Sequence, residues 1–135
     1  MFGSLWKQKN NHMNTVLWIL QSLVAVAFLY SGIQKSIYSE QKLVAAGQTG
    51  VEGLPTALIR FIGISEILGT IGIIFPLLLN ILPVLTTISA ICFAVIMIPA
   101  AIIHYKRREF KNVFTNCVLF FMCVFIAYGR TYLAD

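Results

Sequence analysis

Four long apolar runs separated by short polar stretches set the organisation of the chain. They cover about residues 15–33, 56–75, 82–103 and 112–129. Each reaches the ~20 residues at 1.5 Å rise that an α-helix needs to cross ~30 Å of hydrocarbon. The pattern predicts an all-α fold, a four-helix transmembrane bundle forming one integral-membrane domain over residues 1–135. The first run, with a basic tail before it and Ala25-Val26-Ala27 inside it, has the outline of a signal peptide. Phe28-Leu29-Tyr30 carries it to spanning length, so it is read as a retained helix, capped by Asn14 or Thr15. Gly47, Gly50, Gly53 and Pro55 punctuate the loop over 34–55, which has room for one short interfacial helix at 39–46. Pro76 and Pro83 bracket a tight connection, making runs two and three an antiparallel hairpin. Pro99 predicts a kink, because it cannot donate to the carbonyl of Val95.

Composition supports this class. The 135 residues are 59% hydrophobic and 11% charged, against roughly 25% charged in soluble domains. Mean hydropathy is +0.84. The net charge of +5 is concentrated around Lys106–Lys111, which reads as an orientation signal and lipid-headgroup contact. No basic stripe interleaved with aromatics supports nucleic-acid binding. Cys92, Cys117 and Cys123 form no C-x-x-C pair and are expected to be buried hydrophobes; His12 and His104 are too far apart for a metal site. Trp18, Tyr30, Tyr38, Tyr105, Tyr128 and Tyr132 fall near span ends, as an aromatic belt requires. The loops after spans one and three carry Lys35, Lys42, Lys106, Arg107, Arg108 and Lys111, against Lys7, Lys9 and Arg130 on the other side. The positive-inside rule places those loops in the cytoplasm and both termini outside.

The polar residues inside the spans carry the chemistry. Glu66 lies ~14 Å along span two, near the midplane, where an ionisable group costs at least ~2.5 kcal/mol and marks function or a bundle interior. Arg60 lies ~120° from Glu66 around the helix, so it snorkels to the interface while Glu66 takes a partner from another helix. Lys35, His104 and Asn116 are the partner candidates, all in the membrane half of the two basic loops. Lys35, Arg60, Glu66, His104 and Asn116 form the candidate ligand-binding set. Glu66 is expected to stay neutral and to exchange a proton with that ligand. Gly63, Glu66 and Thr70 share one helix face, and Gly69 and Gly72 mark a close helix contact.

Several of these segments, in order, resemble the DoxX-like family of small bacterial four-helix membrane proteins. They are Phe28-Leu29-Tyr30-Ser31-Gly32 with Lys35, Arg60-Phe61-Ile62-Gly63 through Glu66-Ile67-Leu68-Gly69, Gly72 with Pro76, Leu82-Pro83, His104 with Arg107-Arg108-Glu109, and Ala127-Tyr128-Gly129-Arg130. One departure is Arg108 before Glu109, where Gly is expected, which argues against a tight turn there. The resemblance implies the four-helix bundle, a multi-pass place in the inner (plasma) membrane, and no particular reaction. Its wider group is associated with thiosulfate–quinone oxidoreductase subunits and redox stress complexes. A membrane subunit or small-molecule-binding module is the leading expectation. A quinone-linked oxidoreductase subunit, with Glu66 in proton relay and quinone as cofactor, is the alternative. The lipid bilayer is the expected partner, with a membrane or redox protein or a second copy beside it. A proton-coupled carrier is disfavoured, since four helices leave little room for alternating access.

Overall fold

The computed structural model describes the backbone of residues 2–133 and the side chains of residues 11–133. Five α-helices follow one another: α1 (Phe2–Ile37), α2 (Glu40–Ala45), α3 (Thr56–Leu78), α4 (Val84–Lys106) and α5 (Phe110–Tyr132), with one 3₁₀ turn at Thr49–Val51. Four are long and apolar enough to cross a membrane: Asn11–Ile37, Thr56–Leu78, Val84–Lys106 and Phe110–Leu133. The chain is a multi-pass membrane protein. Helix α1 already runs through Asn14 and Thr15, so neither caps it; Thr15 Oγ1 donates to the Asn11 carbonyl and Asn14 Oδ1 accepts from Arg130. Pro76 lies within the last turn of α3 rather than beyond it, and α4 continues through Pro99.

The helices pack as a closed ring, α1 on α3, α3 on α4, α4 on α5 and α5 back on α1. Its core joins Val24 and Phe28 of α1, Ile73 of α3, Phe93 and Met97 of α4, and Cys123 and Ile126 of α5. Phe28 and Phe93 stack with ring centroids 3.8 Å apart. The outward faces hold exposed large apolar residues such as Phe61, Leu68, Val95 and Phe121. Outward-facing hydrocarbon of this extent is a lipid surface. Two of the three cysteines, Cys92 and Cys117, lie on that surface, and only Cys123 is buried as expected.

Two glycines decide how the site is built. A β carbon at Gly32 would meet the Gly63 carbonyl at 2.8 Å, and one at Gly63 would meet the Gly32 carbonyl and Lys35 Cβ, each at 2.8 Å. Only hydrogen fits there, so the backbones of α1 and α3 come together beside Lys35 and Glu66. Gly69 makes the matching contact with α4, since a β carbon would lie 2.5 Å from Phe93 Cζ.

The connections end their helices in one recurrent way. After α2, α3 and α4 the chain turns through a left-handed residue, Gly47 (φ 95), Asn80 (φ 52) and Arg108 (φ 60). Each time the amide of that residue and the next one bond back to the last turn, as with Arg108 N to Tyr105 O and Glu109 N to His104 O. The tight turn before Glu109 is therefore present without glycine. Between α2 and α3 the chain folds over the bundle end on its own small core of Leu43, Val51 and Ile59.

Candidate functional site

Helix α1 presents Ser31 and Lys35 one turn apart on one face, and the glycine contact brings that face against Glu66. Lys35 Nζ lies 2.8 Å from Glu66 Oε1 and donates to Ser31 Oγ at 2.7 Å. Ser31 Oγ in turn donates to Glu66 Oε2 at 2.9 Å. Glu66 is 3% exposed. With both oxygens in hydrogen bonds and the Lys35 amine 2.8 Å away, Glu66 is placed as the buried partner of Lys35. Two of the three Lys35 N–H groups are engaged this way, and the third has no acceptor among the described residues.

That pair lies in a cavity of about 580 Å³ with largely apolar walls, lined by all four long helices and the 47–54 segment. Phe28, Phe61, Met97 and Leu119 supply apolar wall; Gln48, His104, Asn112 and Asn116 supply polar atoms. Four of the five residues singled out in the sequence, Lys35, Glu66, His104 and Asn116, meet here. Arg60 does not line the cavity. Its Nη1 donates to the carbonyls of Lys35 and Tyr38 at 2.7 Å each, neutralising the C-terminal end of α1. His104 and Asn116 do not reach Glu66.

His104 belongs to a second polar cluster, centred on Glu109. Glu109 Oε2 accepts from the Thr49 hydroxyl, from Asn112 Nδ2 at 2.8 Å and from His104 Nδ1 at 3.2 Å. Glu109 Oε1 accepts from Arg107 Nε at 2.6 Å, and Arg107 also pairs with Glu52. Thr49's hydroxyl and the Arg107 guanidinium, with Asn112 and His104 behind them, hold the Glu109 carboxyl down at about 2. The Glu109 and Glu52 carboxylates raise Arg107 above its ordinary value. The basic run is thus split: Arg107 and Glu109 tie the 49–52 segment to the α4–α5 turn, while Lys106, Arg108 and Lys111 stay exposed.

The sequence reading passed over Ser31, Gln48 and Glu109 as site residues. Ser31 carries a usable signal, because i and i+4 on one helix place it beside Lys35. Gln48 carries none, since a loop residue's reach depends on how the loop folds. A third polar cluster lies at the other end of the bundle, where buried Gln21 donates to Ile73 O at 2.7 Å and accepts from Arg130 Nε at 2.6 Å.

Ring topology and a lipid-facing surface define the protein as a small four-helix membrane protein. A sequence model described as the DoxX-like family matches residues 19–126, and the chain belongs to that family. No curated protein and no solved structure matches the chain at a significant level.

Proposed function

We propose that the protein is a membrane-embedded small-molecule-binding module, a single domain of the inner (plasma) membrane, that holds a largely apolar ligand by an acceptor oxygen. The observation that carries this is the free third N–H of Lys35 at the wall of the apolar cavity. A cavity of about 580 Å³ falls inside the ~300–1,000 Å³ range of sites for small ligands, which pair apolar walls with few convergent polar groups. Glu66 cancels the charge of Lys35 while leaving that N–H available, so the site favours a neutral acceptor over an anion. Native mass spectrometry of gently extracted protein is the test. The expected result is a bound small molecule that is lost when Ala100→Phe fills the cavity. Parent protein free of any adduct, or an adduct that Ala100→Phe retains, overturns the reading.

A second reading makes the protein the membrane subunit of a quinone-linked oxidoreductase, working with a redox protein or with a second copy of itself. The chain Lys35–Ser31–Glu66 supports it, since three hydrogen-bonded polar groups at an apolar wall can hold a ring carbonyl and a proton. A quinone would supply two-electron redox chemistry; Lys35 would hold a carbonyl and Glu66 would keep a proton near it. Quinone in the lipid extract of purified protein, at stoichiometric amount, distinguishes this reading from the broader one.

A further inference from the structure

Lys35 and Glu66 do not account for the polar atoms on the α4 side of the cavity. His104 stands there, in the last turn of α4, with its side chain 13% exposed. The turn through Arg108 brings Glu109 back onto it by the backbone bond from Glu109 N to His104 O. The side chains then meet, with His104 Nδ1 3.2 Å from Glu109 Oε2.

The identity of that partner fixes the imidazole. Glu109 accepts from Thr49, Arg107 and Asn112 as well, so it is an ionised, acceptor-only carboxylate. Nδ1 therefore carries the proton, and in the neutral ring Nε2 is left with a bare lone pair. Gly50 lies over the ring, where a β carbon would be 3.5 Å from Nε2, and both residues line the cavity. Nε2 has no hydrogen-bond donor among the described residues. A half-buried acceptor of this kind is complete only when something donates to it.

We infer that His104, held in one tautomer by Glu109, accepts a hydrogen bond from the bound molecule, and that the ligand class is small aromatic hydroxyl compounds of the phenol type. The inference rests on the cavity being a ligand site. The apolar walls around Phe61 and Met97 suit a flat ring, and a phenolic O–H is a stronger donor than an aliphatic alcohol. An ether, an ester or a hydrocarbon of the same shape would leave Nε2 unpaired. Glu109 is a positioning residue, acting through His104.

The test uses full-length protein labelled with ¹⁵N at histidine in lipid nanodiscs, with His12→Gln to assign the two rings. The probes are 4-butylphenol and 4-butylanisole, which differ by one O–H. The unliganded protein is expected to show His104 protonated at Nδ1 and bare at Nε2. Addition of 4-butylphenol should shift the Nε2 resonance, and the phenol should bind on the order of threefold to tenfold tighter than the anisole, the net worth of one hydrogen bond. His104→Phe should abolish that preference while still binding both probes, and Glu109→Gln should give mixed tautomers. Equal binding of the two probes with an unmoved Nε2, or a proton on Nε2 of the neutral ring, overturns this inference and leaves the cavity reading standing. Binding of neither probe overturns this inference, while the cavity reading stands or falls on the native mass spectra.

Discussion

Lys35 and Glu66 illustrate how a buried pair stabilises and constrains at once. Bringing two charges out of water costs several kcal/mol per ion, and only their close contact and the Ser31 hydrogen bonds offset it. Glu66→Gln keeps the shape and removes the counter-ion. The expected loss is ~3–5 kcal/mol, the usual cost of breaking such a pair from one side. Thermal melts in detergent check this, and adding Lys35→Met to the same chain should recover part of the loss. A single Glu66→Gln variant as stable as the parent would show that the ammonium does not depend on this carboxylate. Glu109 gives a pH-dependent counterpart. Its carboxyl is lowered from 4.5 to about 2, so the folded state favours the charged form. That contribution is complete above the unfolded value and is lost as pH falls from about 4.5 through about 2. Protection factors of the amides at residues 49–52, corrected for intrinsic exchange, should fall across that window, and Glu109→Gln should remove that pH dependence.

At the level of the helices, small residues set the distances and turns set the directions. Gly63→Ala places a methyl 2.8 Å from the Gly32 carbonyl, backbone that cannot rotate away. The variant should lose ~1–3 kcal/mol, as overpacked interiors do, and should weaken the Lys35–Glu66 contact along with it. Gly69→Leu should be worse in stability, because it enters the Phe93 ring, while leaving the ion pair in place. Equal melting of either variant and the parent would mean that the helices separate at no cost. The left-handed turns differ in how well their residues suit them. Glycine meets no penalty at φ > 0 and asparagine little, but Arg108 at φ 60 carries ~1–2 kcal/mol of strain. Arg108→Gly should therefore raise the melting temperature, by about 1 kcal/mol of stability. These elements also show what the sequence can and cannot convey. Spanning length, the Gly63–Glu66–Thr70 face and the wide angle between Arg60 and Glu66 follow from helical geometry alone, and all are present. The pairing of Glu66 with Lys35, chosen from three candidates, required the Gly32–Gly63 approach, which lies between helices and has no local signature. The role of Glu109 was hidden for the opposite reason. It sits in a run of basic residues whose composition speaks for the surface, while a left-handed arginine, which no propensity favours, turns it inward.

For the molecule as a whole, the charge distribution and the site converge on one end. The ring of four antiparallel helices places the ends of α1 and α4 and the starts of α3 and α5 in one membrane half, together with the cavity, the 47–54 segment and the Glu109 cluster. Lys35 is withdrawn into the bundle as the partner of Glu66, so it no longer counts as a loop charge. The loops at that end still carry Lys42, Lys106, Arg107, Arg108 and Lys111, whereas the other end has Lys7, Lys9 and Arg130. Because acidic residues weigh little in the positive-inside rule, the ion pairs of Arg107 do not cancel its contribution. By that rule the excess predicts a cavity end facing the cytoplasm with both termini outward. Single cysteines at exposed positions 11 and 106, on a background lacking Cys92, Cys117 and Cys123, should react with a membrane-impermeant maleimide from opposite faces, position 11 in intact cells and position 106 only after permeabilisation. Reaction of position 106 in intact cells would reverse the orientation and turn the cavity end outward. Reaction of both positions from one face would contradict the passage of α1 through the bilayer antiparallel to α4's neighbours, and with it the four-span ring.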